Sequence, residues 1–412
     1  KGWLRPALAA LRFQAQGPPG PAGQMPDSDE KRQLAARQRD QGLLSPGDPD
    51  YDKKMSELWG GPPPSWYDQA LEDFAARYSY PASGRGKLAL VTGGGGGIGF
   101  YVVKGLARLG FDVLVPARPG MEGDAQAAAE AAKGVAAPGV KVSVPAATLD
   151  LGSFESVRSF GATMREALPS LDLLCLNAGR GGGRDDRREV TGDGHEAVMQ
   201  VNALSHFLLA CELMPLLRRS AAGRIASQSS GARYQAKLAK VDDIDGTDAS
   251  KFSAWDQYCL SKASNVLFTL ALNDRLAAAG VANVIATASD PGLTATGVNI
   301  QHDLVKSLGI DNKLQDTNRL HDVAGHHAAD GSLALLMASV DTGAGRSDFY
   351  VAGKAKSFAE AVYKLDPYAQ PAESKATDPL CESSWPRRAR ESFWGQALRM
   401  TGANWEASLS KL

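Results

Sequence analysis

The sequence predicts an α/β protein: a doubly wound parallel sheet of about seven strands with helices on both faces, preceded by a poorly structured N-terminal extension. Three observations carry this reading. From Lys87 onward, short β-rich runs alternate with longer helical patterns, and such alternation calls for a parallel sheet covered on both faces. The first β-rich run feeds straight into a glycine-rich turn and a helix. Gly110 and Gly280 each follow a helical run, where a C-terminal cap belongs.

Taken in order, residues 1–86 stand apart from the rest. Residues 1–26 carry Lys1, Arg5 and Arg12 and no acid before Asp27. Such a basic, acid-free stretch resembles the end of a mitochondrial or plastid targeting peptide, and a cut chain explains a first residue of lysine as well; without targeting, the cytoplasm is expected. Gly17 to Pro26 hold four prolines and three glycines, which reads as flexible linker. Leu58-Trp59-Gly-Gly-Pro-Pro-Pro-Ser-Trp66 and the amphipathic positions Leu71, Phe74, Ala75 and Tyr78 read as a segment that folds back on the main domain or docks on a partner. Strands are expected at 87–92, 112–117, 141–146, 172–176, 224–228, 283–288 and 348–351, with helices at 98–109, 153–167, 194–218 and 255–279. The expected division is an extension over 1–86, a nucleotide-binding domain over 87–400 and a tail over 401–412.

Composition narrows the function. Of 412 residues, 45 are basic and 46 acidic, so the charge surplus of a phosphate-driven nucleic-acid binder is missing. Apolar runs fall short of the ~20 residues that span a bilayer; the longest candidates, such as 206–217, read as buried helix. Cys175, Cys211, Cys259 and Cys381 are widely spaced and read as reduced thiols with no metal-type pairing. His321-Asp322-Val-Ala-Gly-His326-His327 lacks the frame of a zinc site and reads as a solvated helix start. No metal is expected. His195 and His206 read as structural histidines, and 179–188 as a charged, solvated loop.

The turn Gly93-Gly-Gly-Gly-Gly97-Ile98-Gly99 lies between strand and helix. Glycines permit a tight turn and close backbone approach to a pyrophosphate, and the helix N-terminus offers unpaired N–H groups. The second strand ends Val115-Pro116-Ala117-Arg118, with no carboxylate where an NAD ribose would need one. Arg118 suits a 2′-phosphate, so NADP(H) is expected over NAD(H). Pro116 removes a ladder donor and is expected to end the pairing. Tyr258 and Lys262, four residues apart in a helical run, share a helix face. A neighbouring cation lowers a phenol's pKa, which suits a general acid/base for a carbonyl or alcohol.

Together these motifs resemble the short-chain dehydrogenase/reductase family over about residues 86–400. Thr92, Gly93, Gly97, Ile98 and Gly99 resemble its cofactor turn, and Asp150-Leu151 its adenine-contacting pair. Asn177-Ala178-Gly179 resembles its NAG motif and Asn202 its structural-catalytic asparagine. Ser230, preferred over Ser229, resembles the catalytic serine, and Tyr258 and Lys262 complete the tetrad. Pro291, Gly292, Thr294 and Thr296 resemble the turn that holds the nicotinamide carboxamide. The 28-residue interval from Ser230 to Tyr258, with Asp348-Phe349-Tyr350 and Ser392-Phe-Trp394, is similar to the retinol-dehydrogenase-like branch. Light-dependent protochlorophyllide oxidoreductase is a more distant resemblance.

The resemblance implies a Rossmann-type sheet and hydride transfer between nicotinamide and a carbonyl or alcohol of a small apolar substrate. It assigns proton transfer to Tyr258, hydrogen bonding of the reacting oxygen to Ser230, ribose binding to Lys262, and a water linking Lys262 to solvent to Asn202. A homodimer through helices 194–218 and 255–279 and docking of 1–86 to a larger complex are both open. The competing class is a mainly structural nucleotide-binding subunit of a larger organellar assembly, motivated by the long extension.

Overall fold

Among the described residues eight strands form one sheet: β1 (Leu88–Val91), β2 (Asp112–Leu114), β3 (Val142–Ser143), β4 (Leu173–Leu176), β5 (Gly223–Gln228), β6 (Val284–Asp290), β7 (Phe349–Ala352) and β8 (Val362–Leu365). The computed structural model describes residues 67–181, 187–248, 250–292, 294, 328–352, 362–365 and 386–410. Strand order is β3-β2-β1-β4-β5-β6-β7-β8, parallel throughout except where β8 pairs antiparallel with β7. The chain direction across the sheet reverses beside β1, which pairs both β2 and β4. In such sheets the crevice beyond the carboxyl ends of the strands at that reversal is the ligand site.

All seven expected strands are present, and short β8 extends the sheet at its edge. Leu-Ala-Leu-Val in β1 and Leu-Leu-Cys-Leu in β4 are continuous apolar runs, as strands buried on both faces require. β2 stops at Leu114, two residues before Pro116, as a missing ladder donor demands.

One face of the sheet carries α1 (Tyr67–Arg77), α2 (Gly97–Arg108), α3 (Glu122–Lys133) and α7 (Ala328–Val340); the other carries α4 (Phe154–Ala167), α5 (Ser205–Arg219), α6 (Ala254–Ala278), α8 (Arg387–Thr401) and α9 (Trp405–Leu409). Ser153 caps α4 and Ser253 caps α6, each accepting from the amide three residues on, which satisfies an orphan helix donor. The helical run Ala197–Arg219 has 23 residues and holds a stretch with a mean hydropathy of 1.3, enough by length and composition to cross a membrane. Here it is a core helix: Phe207, Leu208, Leu209 and Leu213 are fully buried. Its path is not uniform, because Gln200–Leu204 forms a π-turn before α5 begins.

Part of the extension does fold back. Tyr67, Ala70, Leu71 and Phe74 of α1 are buried in the core shared with α2 and α7. The Tyr67 hydroxyl donates to the Tyr101 carbonyl at 2.7 Å and the Tyr80 hydroxyl to that of Val340 at 2.9 Å. Burying a large apolar side chain contributes roughly 1.5–3 kcal/mol, so Leu71 and Phe74 fasten α1 firmly. On the opposite face Phe393, Trp394 and Trp405 pack around Phe207 and Phe268. Residues 1–66, with the basic stretch, the Pro/Gly linker, Trp59 and Trp66, lie outside the described residues, as do 182–186 of the charged loop, Thr296, His321, His326, His327 and Cys381.

Candidate active site

The glycine turn is shaped by close backbone contacts. Gly93 has a φ of +66°, and a Cβ there would sit 2.9 Å from Ala178 Cα. A Cβ on Gly99 would lie 2.1 Å from the Gly93 carbonyl oxygen, so only glycine lets α2 start this close to β1. Gly96 precedes α2 and no side chain caps that helix, and an uncapped helix N-terminus suits an anion. This cradle of bare backbone fits the pyrophosphate of a nicotinamide dinucleotide. Ile98 is partly buried against the α2 core.

Thr92 knits the turn to the segment after β4. Its hydroxyl oxygen accepts from the amides of Asn177 and Ala178, each at 3.0 Å, while Asn177 Nδ2 donates to the Thr92 carbonyl at 2.9 Å. His206 lies 3.0 Å from the same hydroxyl through Nε2 and 3.2 Å from the Asn202 carbonyl through Nδ1. Gly179 comes so close to the next layer that a Cβ on it would be 3.2 Å from both Lys262 Nζ and Asn202 Oδ1.

The structure brings together all four residues of the expected tetrad. Tyr258 and Lys262 lie one turn apart near the start of α6, with Lys262 Nζ 5.9 Å from the Tyr258 ring centre. Lys262 is buried and donates to the Gln228 carbonyl at the end of β5 at 3.3 Å. Asn265 Nδ2 donates to the same carbonyl at 2.9 Å. Ser229 is buried, and its hydroxyl donates to the Lys262 backbone carbonyl at 2.7 Å, so its proton is spent. Ser230 is partly exposed, accepts from the Ala232 amide at 3.2 Å and hydrogen-bonds toward Tyr258.

One expectation about this cluster changes. Burial pushes the Tyr258 phenol up to about 12, and the group that pulls it back is the Ser230 hydroxyl, not Lys262. Burial is the dominant influence on the phenol, and Lys262 is itself desolvated and held down at about 8. The Asn202 side chain is occupied by protein: Oδ1 accepts from the Arg180 amide at 2.8 Å, and Nδ2 donates to the Arg180 carbonyl at 2.9 Å and to Ser261 Oγ at 3.0 Å. It thereby ties the 177–180 turn to α6. The π-turn that contains it is a bulge of the kind that accompanies functional sites.

The other expected cofactor residues that are described lie on the segments that follow β2, β3 and β6. The Leu149 amide donates to the Ala117 carbonyl at 2.8 Å, which brings Asp150 and Leu151 alongside the segment carrying Arg118. Asp150 Oδ1 accepts from the Gly152 amide and the Leu151 carbonyl from Ser205 Oγ. Pro291 and Gly292 follow β6, and the Gly292 amide, at a φ of +68°, donates to Asp290 Oδ1. Thr294 donates to the Pro291 carbonyl at 2.9 Å and is packed against Gly331. Sequence reasoning missed Asp124, which α3 places against Gly95 of the phosphate turn; its signal was an acid in the first turn of an alanine-patterned helix. Among the described residues no cluster of three or more metal-ligating side chains occurs.

A glycine turn at the sheet reversal, with a Tyr-Lys helix and a serine beside it, is an arrangement suited to binding a dinucleotide in a Rossmann-type sheet. Residues 87–241 match the family described as short chain dehydrogenase. Human retinol dehydrogenase 13 is 33% identical over 228 residues, covering 55% of this chain and 65% of that protein. Human retinol dehydrogenase 14 is 34% identical over 229 residues, covering 53% and 65%. The chain thus spans just under two thirds of the length of these curated relatives. A solved structure of an uncharacterised protein from Mycobacterium paratuberculosis superposes with a TM-score of 0.53 at 23% identity, covering 78% of this chain and 95% of that one, and shows the shared fold. Over residues 87–241 the chain is similar to the short chain dehydrogenase family, and the curated relatives it resembles include retinol dehydrogenases.

Proposed function

We propose that this protein is an NADP(H)-dependent oxidoreductase that reduces a carbonyl of a small apolar substrate, or oxidises the matching alcohol. The observation that carries the reading is the convergence of Ser230, Tyr258 and Lys262 beside Gly179, one residue beyond the turn that braces the glycine loop. When bound, the nicotinamide supplies the hydride to the carbonyl carbon. Tyr258 Oη passes its proton to the carbonyl oxygen, and Ser230 Oγ donates a hydrogen bond to the same oxygen, so both act where charge develops. Lys262 holds the ribose hydroxyls. A phenol held at about 12 stays protonated at neutral pH, which is the form reduction requires.

Gly93, Gly97 and Gly99 hold the pyrophosphate, Asp150, Leu151, Asn177 and Ala178 flank the adenosine side, and Pro291, Gly292, Thr294 and Thr296 hold the carboxamide. Arg118 receives the 2′-phosphate. The test is a fluorescence titration with NADPH and NADH: NADPH binds at least about tenfold tighter, and Arg118→Ala removes that preference. Tighter NADH binding overturns the assignment of Arg118 and transfers the ribose contact to Asp124. A mainly structural subunit is the weaker reading, because such a role gives no reason to assemble an acid, a serine and a buried lysine around one crevice.

A further inference from the structure

Two site-bearing segments and strand β7 meet at a charged group that has no part in the chemistry above. Arg233 follows Ser230 in a short 3₁₀ turn, yet its side chain is only 4% exposed. Nη1 pairs with the Asp290 carboxylate, also 4% exposed, and donates to the Ser230 carbonyl at 2.9 Å. Nη2 donates to the Tyr234 hydroxyl at 2.6 Å. The guanidinium carbon stands 4.0 Å from the Tyr234 ring centre and 4.4 Å from that of Phe349 in β7. Asp290 ends β6, and its other oxygen takes the Gly292 amide.

We propose that Arg233 is a positioning residue: with Asp290 it forms a buried ion pair that clamps the Ser230 segment onto the Pro291–Gly292 turn and neutralises the Asp290 charge beside Tyr258 and Lys262. The proposal rests on the functional reading above. A planar guanidinium suits this place, because it can bond a carboxylate and a carbonyl at once while its faces pack on rings. Burying the pair is costly in itself, and removing either partner strands a charge. The charge matters because Asp290 acts electrostatically on both Tyr258 and Lys262, favouring phenol and ammonium. The other groups facing the phenol are the Ser230 hydroxyl after β5 and the Cys259 thiol on α6. Lys262 in turn faces His206 on α5, which is neutral.

Signs follow. Arg233→Met leaves Asp290 unbalanced and favours the phenol, so the alkaline limit of carbonyl reduction moves up by about one pH unit. Asp290→Asn leaves the guanidinium unbalanced, favours phenolate and moves that limit down by a similar amount. The double variant returns toward the wild-type profile, and its melting temperature lies above that expected from adding the single losses. Arg233→Lys keeps the charge and loses the fork, so its pH limit stays put while kcat falls a few-fold. The proposal is overturned if both single variants move the limit in one direction, if neither moves it, or if the melting losses add without coupling. Should Arg233→Met fail to fold, a full-unit shift in Arg233→Lys overturns the electrostatic role. Should the wild type reduce no carbonyl, the functional reading fails by itself. The melting cycle, with phenolate absorbance of each variant against its Tyr258→Phe counterpart, then still decides the ion pair.

Discussion

The hydroxyl of Thr92 lies 3.0 Å from Nε2 of His206, across 114 residues of chain. The other ring nitrogen, Nδ1, faces the Asn202 carbonyl at 3.2 Å, and a carbonyl only accepts. The proton therefore sits on Nδ1, Nε2 accepts from Thr92, and the Thr92 oxygen is left to accept from the amides of Asn177 and Ala178. One neutral imidazole fixes the start of the glycine turn relative to the π-turn that carries Asn202.

This geometry predicts a pH dependence of stability. Burial holds His206 down at about 3 in the folded chain, against about 6.5 when unfolded. Between these values the unfolded state binds the extra proton, so stability is full above pH 6.5 and falls as pH drops toward 3. The loss attributable to His206 is about 2 kcal/mol at pH 5 relative to pH 8. Urea denaturation of wild type and His206→Gln at both values checks it: the variant is less stable at pH 8 and loses less on acidification. An equal loss in both chains contradicts the assignment.

The two adjacent serines separate stability from turnover. Ser230→Ala removes the hydroxyl that faces Tyr258 and lowers kcat on the order of 10²-fold with little change in melting temperature. Ser229→Ala removes a bond to the Lys262 carbonyl, costs about 1 kcal/mol of stability and changes kcat less. Steady-state NADPH consumption with parallel melting curves distinguishes them; reversed effects would show that the catalytic serine is Ser229.

Much of this was legible in the sequence, and the exceptions share a cause. The strands announced themselves as apolar runs, and the glycine turn, Ser230, Tyr258 and Lys262 as motifs, because each is a local pattern. Helix α3 was not read, since its buried face is made only of Ala125, Ala128, Ala129 and Ala132, which carry a weak hydrophobic signal. Helix α7 is buried all round and so shows no amphipathic stripe. The roles of His206, Asp124 and the Arg233–Asp290 pair depend on contacts between distant segments, which spacing does not encode. The direction of the Tyr258 shift was misjudged for the same reason, because depth of burial is a property of the fold.

The phosphate turn gives a steric prediction. Gly99→Ala places a methyl 2.1 Å from the Gly93 oxygen; the backbone must move, and NADPH binding weakens at least about tenfold with a stability loss of roughly 1–3 kcal/mol. Gly123→Ala, in α3 with nothing within 4 Å, keeps the affinity and gains a few tenths to about 1 kcal/mol. Titration calorimetry of the two variants checks this; unchanged affinity in Gly99→Ala contradicts the close approach.

The C-terminal helices are part of the core. Trp394 packs on Phe207 at 4.8 Å and on Trp405 at 5.1 Å between ring centres, with the Arg275 guanidinium carbon 4.0 Å from its own ring centre. Trp394→Ala is expected to cost about 3–5 kcal/mol, read by calorimetric melting. A change below about 1 kcal/mol would place α8 outside the cooperative unit.

The central claim is that Tyr258 is the proton donor in a hydride-transfer reaction. The most direct measurement is NADPH consumption at neutral pH with a series of apolar aldehydes and ketones, for wild type and Tyr258→Phe, alongside NADPH affinity for both. The account predicts turnover in the wild type, a loss on the order of 10²–10⁴-fold in Tyr258→Phe, and NADPH affinity equal within a few-fold. Near-normal turnover in Tyr258→Phe would contradict it.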